Sequence, residues 1–94
     1  MGNYASEQEL VNKVVSKLKE VIKEHLPDVD PDQITEHSEF EKDLNLGSLE
    51  MSTILMDIED AFNIRIQEEE FQTLKNVGDL VRTVVKHLSA KAPS

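Results

Sequence analysis

Asp43-Leu44-Asn45-Leu46-Gly47-Ser48-Leu49-Glu50 is the stretch on which the reading of this chain turns. In it a serine opens a run of helical periodicity directly after a long acidic segment. Leu49, Ile54, Leu55, Ile58 and Phe62 make an inward stripe, with Met51 and Met56 at its margins. Glu50, Asp57, Glu59 and Asp60 fill the outer face. The spacing predicts a helix from about Ser48 to Phe62, ended by Asn63. The plainest role for Ser48 is that of an N-cap, worth about 1 kcal/mol to the helix it opens.

Upstream, residues 27–47 form a long connection with two prolines, many aspartates and no sustained period. Loops of this length in a small domain are functional or carry a short helical turn. Asp30-Pro31-Asp32-Gln33 predicts such a turn, with Asp as cap and Pro at its first position. Ile34, Phe40, Leu44 and Leu46 are the expected anchors to the core. Before the loop, Leu10, Val11, Val14, Val15, Leu18, Val21, Ile22 and Leu26 recur at helical spacing. Ser6 and Glu9 have capping-box spacing at the start of that helix, and Pro27 stops it.

Downstream, Ile64 and Ile66 alternate with polar residues for four positions, an extended connection and not a sheet. A short helix is expected at about 68–74, presenting Phe71 and Leu74. Asn76 and Asp79 then cap a last helix carrying Val77, Leu80, Val81, Val84, Val85 and Leu88. The predicted fold is all-α: a small four-helix bundle of three main helices and one short one, with a long first loop. Residues 6–88 are read as the domain, and 1–5 and 89–94 as disordered tails. Gly2 and Ser6 fit a loose N-myristoylation pattern that is frequent by chance.

Composition narrows the function. The chain has 94 residues, enough for one domain. It has no cysteine, so thiol chemistry would have to be imported. Nineteen acids face ten bases, a net charge of −9. Residues 26–46 and 47–71 each carry seven acids and one base, whereas 72–94 carry one acid and four bases. An acidic block of this kind repels nucleic acid and anionic membranes and attracts basic protein patches. No apolar run reaches membrane-spanning length and no signal-peptide pattern is present, so no stable membrane insertion and a cytoplasmic location are expected. His25, His37 and His87 are scattered and share no spacing with a carboxylate or serine suited to nucleophilic catalysis.

The segment Asp43–Glu50, followed two turns later by Met56, Ile58, Glu59, Asp60 and Phe62, resembles the acyl carrier protein family. The likeness covers nearly the whole chain, and residues 40–62 carry most of its specificity. It implies that Ser48 is the attachment site of 4′-phosphopantetheine, the cofactor whose distal thiol holds an acyl group as a thioester. It implies a shuttle that performs no chemistry of its own, and a monomer. The partners it implies are a phosphopantetheinyl transferase (holo-carrier synthase) and acyl-loading, acyl-transfer or condensing enzymes with basic docking patches. By the same resemblance Glu50, Glu59 and Asp60, with Glu68, Glu69 and Glu70 on the short helix, match acidic docking positions. Leu49, Ile54, Leu55, Ile58, Phe62, Leu74 and Leu80 would wall a pocket for the acyl chain.

Two departures from the family pattern imply a specialised carrier. Gly47 stands where the family usually has Asp before the serine, and Ser52 and Thr53 stand where it often has Val and Glu. Two other readings compete. One keeps the fold but leaves Ser48 unmodified, as an acidic interaction module. The other takes Asp28, Asp30, Asp32 and Glu39 as positions 1, 3, 5 and 12 of a calcium loop. Gln33 then stands where that loop needs Gly, and no helix is expected after Glu39, so at most a weak divalent site is implied.

Overall fold

The computed structural model describes residues 7–91. Four helices follow in chain order: α1 (Glu7–His25), α2 (Ser48–Phe62), α3 (Glu68–Phe71) and α4 (Val77–Lys91). A single 3₁₀ turn, Pro31–Gln33, interrupts the long first loop. Among the described residues there is no strand, only an isolated antiparallel bridge between Glu39 and Asn76. The four-helix, all-α architecture is the one the periodicity predicts. Ser6, the expected cap of α1, and Gly2 lie outside the described residues. The last helix runs on to Lys91, past the tail expected from residue 89.

One apolar cluster holds the helices together. Leu10, Val14, Leu18 and Ile22 of α1 meet Met51, Ile54, Leu55 and Ile58 of α2 and Leu80, Val84 and Leu88 of α4. α1 is the central element and packs against both α2 and α4. His25, at the end of α1, adds a bond of 2.7 Å to Asp57 on α2. On α3, the Glu70 carboxylate accepts from His87 Nε2 of α4, at 2.9 and 3.0 Å to its two oxygens.

The first loop lacks regular structure but is anchored along its length. Ile34, Phe40, Leu44 and Leu46 are all buried, as expected. Asp30 caps the 3₁₀ turn by accepting from the Asp32 amide at 3.0 Å. Asn45 adopts a left-handed conformation, φ 54°, which asparagine tolerates better than most side chains. The turn places both Leu44 and Leu46 inward. Backbone bonds then tie the loop to the start of α4: Phe40 N–H to Lys75 O at 3.1 Å, Val77 N–H to Ser38 O at 2.9 Å and Gly78 N–H to Glu36 O at 2.8 Å. Loop carbonyls thus satisfy amides that a helix start leaves without intrahelical partners. Asn76 and Asp79 complete the cap reciprocally, with Asp79 N–H donating to Asn76 Oδ1 at 2.8 Å.

Candidate functional site: the start of the second helix

The cap of α2 is Gly47, not Ser48. Gly47 has extended backbone, and Ser48 is the first helical residue. The side chain that closes this end comes from one turn on, where Glu50 Oε1 accepts the Gly47 N–H at 2.9 Å. Met51 N–H closes the first helical bond on Gly47 O at 2.9 Å. Ser48 is exposed, and its side chain makes no hydrogen bond among the described residues. Its hydroxyl therefore stands free at the positive end of a fifteen-residue helix. The Ser48, Leu49 and Glu50 amides at this end have no intrahelical acceptor.

Beside Ser48 lies a cleft of about 400 Å³. Phe40, Leu46, Met51, Phe71 and Leu74 line one part of it, Glu39, Glu41 and Lys75 another, and Ser48 and Gly47 stand on its wall. Of the seven residues expected to wall an acyl pocket, Leu74 alone lines this cleft. Ile54, Leu55, Ile58 and Leu80 are in the core behind it, and Phe62 packs at the core edge. Met51, expected only at the margin of the stripe, is buried and faces the cleft.

Leu49 corrects the sequence reading outright. Expected on the inward stripe, it is 85% exposed. It shares the spacing of Thr53, Met56 and Asp60, at intervals of four, three and four, so it belongs to the outer face. Met56 is also exposed, at 61%. α2 therefore presents two large apolar side chains to solvent beside Ser48, among acids. Thr53 donates its hydroxyl to Leu49 O at 3.0 Å. Ser52 is half-buried and does not line the cleft.

The six acids expected to dock partners divide by environment. Glu50, Asp60, Glu68 and Glu69 are exposed. Glu59 is half-buried, and its Oε2 accepts the Ile66 N–H at 2.7 Å. Glu70 is half-buried too. Its Oε1 accepts the Gln67 N–H at 3.1 Å. That bond, with the His87 contact, holds the Glu70 carboxyl below the usual glutamate range despite opposing desolvation. In the acidic loop, Asp30 is engaged in its turn and Glu39 lines the cleft. Among the described residues no group of three or more His, Asp or Glu is placed to hold a metal ion. None of their helices is long and apolar enough to cross a membrane.

An exposed serine at a helix start, beside a partly apolar cleft and inside a small helical bundle, is the arrangement of a carrier module. A family model described as a phosphopantetheine attachment site matches residues 14–84. An acyl carrier protein of Wolinella succinogenes is 38% identical over 71 residues, 76% of this chain and 92% of the relative. One from Lactobacillus acidophilus is 34% identical over 82 residues, 87% of this chain and 96% of the relative. A solved structure of the acyl carrier protein from Enterococcus faecalis superposes with a TM-score of 0.71 at 27% identity, covering 82% of this chain and 96% of that one. The chain belongs to the acyl carrier protein family. It is accordingly a carrier and not a catalyst, its cofactor is phosphopantetheine, and its family works with phosphopantetheinyl transferases and acyl-handling enzymes.

Proposed function

We propose that Ser48 carries the 4′-phosphopantetheine arm, and that the chain is a monomeric cytoplasmic shuttle for acyl intermediates of fatty-acid or related lipid or polyketide synthesis. The observation that carries this reading is the free, exposed Ser48 hydroxyl at the start of α2, within the matched attachment-site region. When bound, the arm supplies the thiol that this cysteine-free chain lacks, and with it the thioester. The residues fit such a group. A phosphodiester on Ser48 Oγ would meet the positive end of α2 and the unpartnered amides there.

The apolar part of the cleft beside Ser48, from Phe40, Leu46, Met51, Phe71 and Leu74, gives an acyl chain on the arm a place to leave water. Removing apolar surface from solvent there is worth ~25 cal/mol per Å². Docking is assigned to the outer face of α2 and the start of α3. Leu49 and Met56 supply apolar contacts, while Glu50, Asp60, Glu68 and Glu69 steer basic partners. Glu59 and Glu70 act mainly through the backbone amides they hold.

The test is intact mass after incubation with coenzyme A and a phosphopantetheinyl transferase. The wild-type chain should gain one phosphopantetheine and Ser48→Ala should gain none. An unchanged wild-type mass with several transferases would favour the unmodified interaction module. A mass gain retained in Ser48→Ala would move the attachment elsewhere.

A further inference from the structure

The short helix α3 is a wall of the cleft at Ser48 as well as a link between α2 and α4. Its four residues, Glu68–Phe71, are far too few to hold helical form alone. Phe71, at its end, and Leu74, just beyond, are two of the five large apolar residues that line the cleft, and both are only half-buried. The backbone bonds of this segment run within it: Phe71 N–H donates to Gln67 O at 2.9 Å, Gln72 N–H to Glu68 O at 3.1 Å and Leu74 N–H to Phe71 O at 3.2 Å. On either side the chain is pinned, by Ile66 N–H on Glu59 Oε2 and by Phe40 N–H on Lys75 O. Between those pins none of the α3 residues is buried, so packing alone does not fix the wall.

Glu70 supplies the missing hold, because its carboxylate does two things at once. Its Oε1 accepts the Gln67 N–H at 3.1 Å, which closes the start of α3, and also accepts from His87 Nε2 at 2.9 Å. Its Oε2 accepts from the same nitrogen at 3.0 Å. Hydrogen bonds to an ionised acceptor are the stronger kind, and this one is half-shielded from water on both sides. His87 belongs to α4, which packs on α1 and whose next residue, Leu88, is buried in the core. His87 does not itself line the cleft. It reaches the lining through Glu70, the immediate neighbour of Phe71.

We propose that His87 is a positioning residue for the acyl cleft. Through Glu70 it ties α3 to the body of the bundle, keeps Phe71 and Leu74 against the space beside Ser48, and so sets how well that space shelters an acyl chain. The assignment rests on the reading that Ser48 bears an acylated arm.

Full-length wild type, His87→Ala, His87→Gln and Val14→Ala are first compared without an arm. In His87→Ala the helical circular-dichroism spectrum should persist, while the Phe71 and Leu74 amides exchange about ten- to hundredfold faster, the factor carried by one bond to a charged group. Gln places an amide nitrogen near the reach of Nε2 and should restore most of that protection. The same chains are then given an octanoyl arm from octanoyl-coenzyme A by a transferase, and hydroxylamine cleavage of the thioester is followed by intact mass. His87→Ala should be cleaved about two- to fivefold faster than wild type, because a wall that opens part of the time bares the cargo. His87→Gln should stay near wild type. Val14→Ala, which weakens the core from α1, controls for stability and should also be cleaved at the wild-type rate. The proposal is overturned by unchanged exchange in His87→Ala, by equal cleavage of His87→Ala and wild type, by His87→Gln behaving as His87→Ala, or by equally fast cleavage of Val14→Ala. A wild-type chain that gains no octanoyl arm refutes the carrier reading itself, and the acyl role of His87 falls with it; intact mass shows this before any cleavage rate is compared.

Discussion

Glu59 separates architecture from recognition, and two substitutions read the two roles apart. Its Oε2 accepts the Ile66 N–H at 2.7 Å, across seven residues and in a half-buried setting. A bond to a charged acceptor contributes about 1.5–3 kcal/mol, and a neutral one about 0.5–1.5. Glu59→Ala loses the bond and leaves the amide poorly solvated. Against that, a negative charge in the last turn of α2 opposes the helix dipole, and its removal returns about 0.3–1 kcal/mol. The expected net loss is about 1–2 kcal/mol. With a urea dependence near 1 kcal/mol per M, as is usual for chains this small, the midpoint falls by about 1–2 M. Glu59→Gln keeps an oxygen for the amide and removes only the charge, so it should cost less than about 1 kcal/mol. Transferase kinetics supply the second readout. Asp60→Asn removes an exposed charge and should slow modification about two- to fivefold at low salt. Glu59→Gln, whose carboxylate is already occupied, should slow it less than twofold. The reasoning fails if Glu59→Ala is as stable as the wild type. It fails equally if Glu59→Gln slows transfer as much as Asp60→Asn.

Three further outcomes follow from the same geometry. A Cβ at Gly78 would stand 3.0 Å from Glu36 O and 3.3 Å from Glu36 Cβ. Crowding there costs about 1–3 kcal/mol against a helix-propensity gain of up to about 1, so Gly78→Ala should lower the urea midpoint; a rise would show that the loop yields freely. At Gly47 the backbone is extended, and a Cβ meets only Glu50 Oε1 at an ordinary 3.4 Å. Gly47→Asp should therefore fold with stability within about 0.5 kcal/mol of the wild type, and should be modified faster by a transferase that serves carriers with Asp before the serine. Acid should weaken the fold through two carboxyls held below their usual range. The Gln67 amide, then His87, does this for Glu70, and the Lys75 and Asn76 amides, then Arg82, do it for Asp79. A carboxyl depressed in the folded state stabilises above its unfolded value, about 4, and that contribution is lost as pH falls through the folded value. Urea midpoints measured from pH 7 to 3 should fall less steeply for Glu70→Gln and Asp79→Asn than for the wild type.

Most of the framework was legible because side chains write it directly. Apolar spacing marks α1, α2 and α4. Asp30 with Pro31, and Asn76 with Asp79, announce the turns they cap. The buried anchors of the loop stand out as isolated large residues in acidic sequence. Leu49 misled because hydrophobicity was read before register. It lies five residues before Ile54, an interval that does not share a helical face, and four before Thr53, one that does. The Glu59 bond to Ile66 and the bonds from loop carbonyls to α4 had no such signature, since a backbone partner can be any residue. The links of His25 to Asp57 and of His87 to Glu70 span 32 and 17 positions, separations at which spacing carries no information. Ser48 itself was found through the motif around it, whereas its place one residue inside the helix depended on Glu50 reaching back to Gly47.

The tie between the first loop and the start of α4 also orders events in time. Residues 36–40 find their backbone partners at 75–78, nearly thirty positions beyond Ser48. A chain emerging from the ribosome exposes its serine long before those partners exist. Until residues 75–78 follow, the loop has α1 to pack on and its own internal bonds, but not its backbone partners at the start of α4. A product cut before residue 75 would keep Ser48 and lose the backbone ties that close its loop on the last helix.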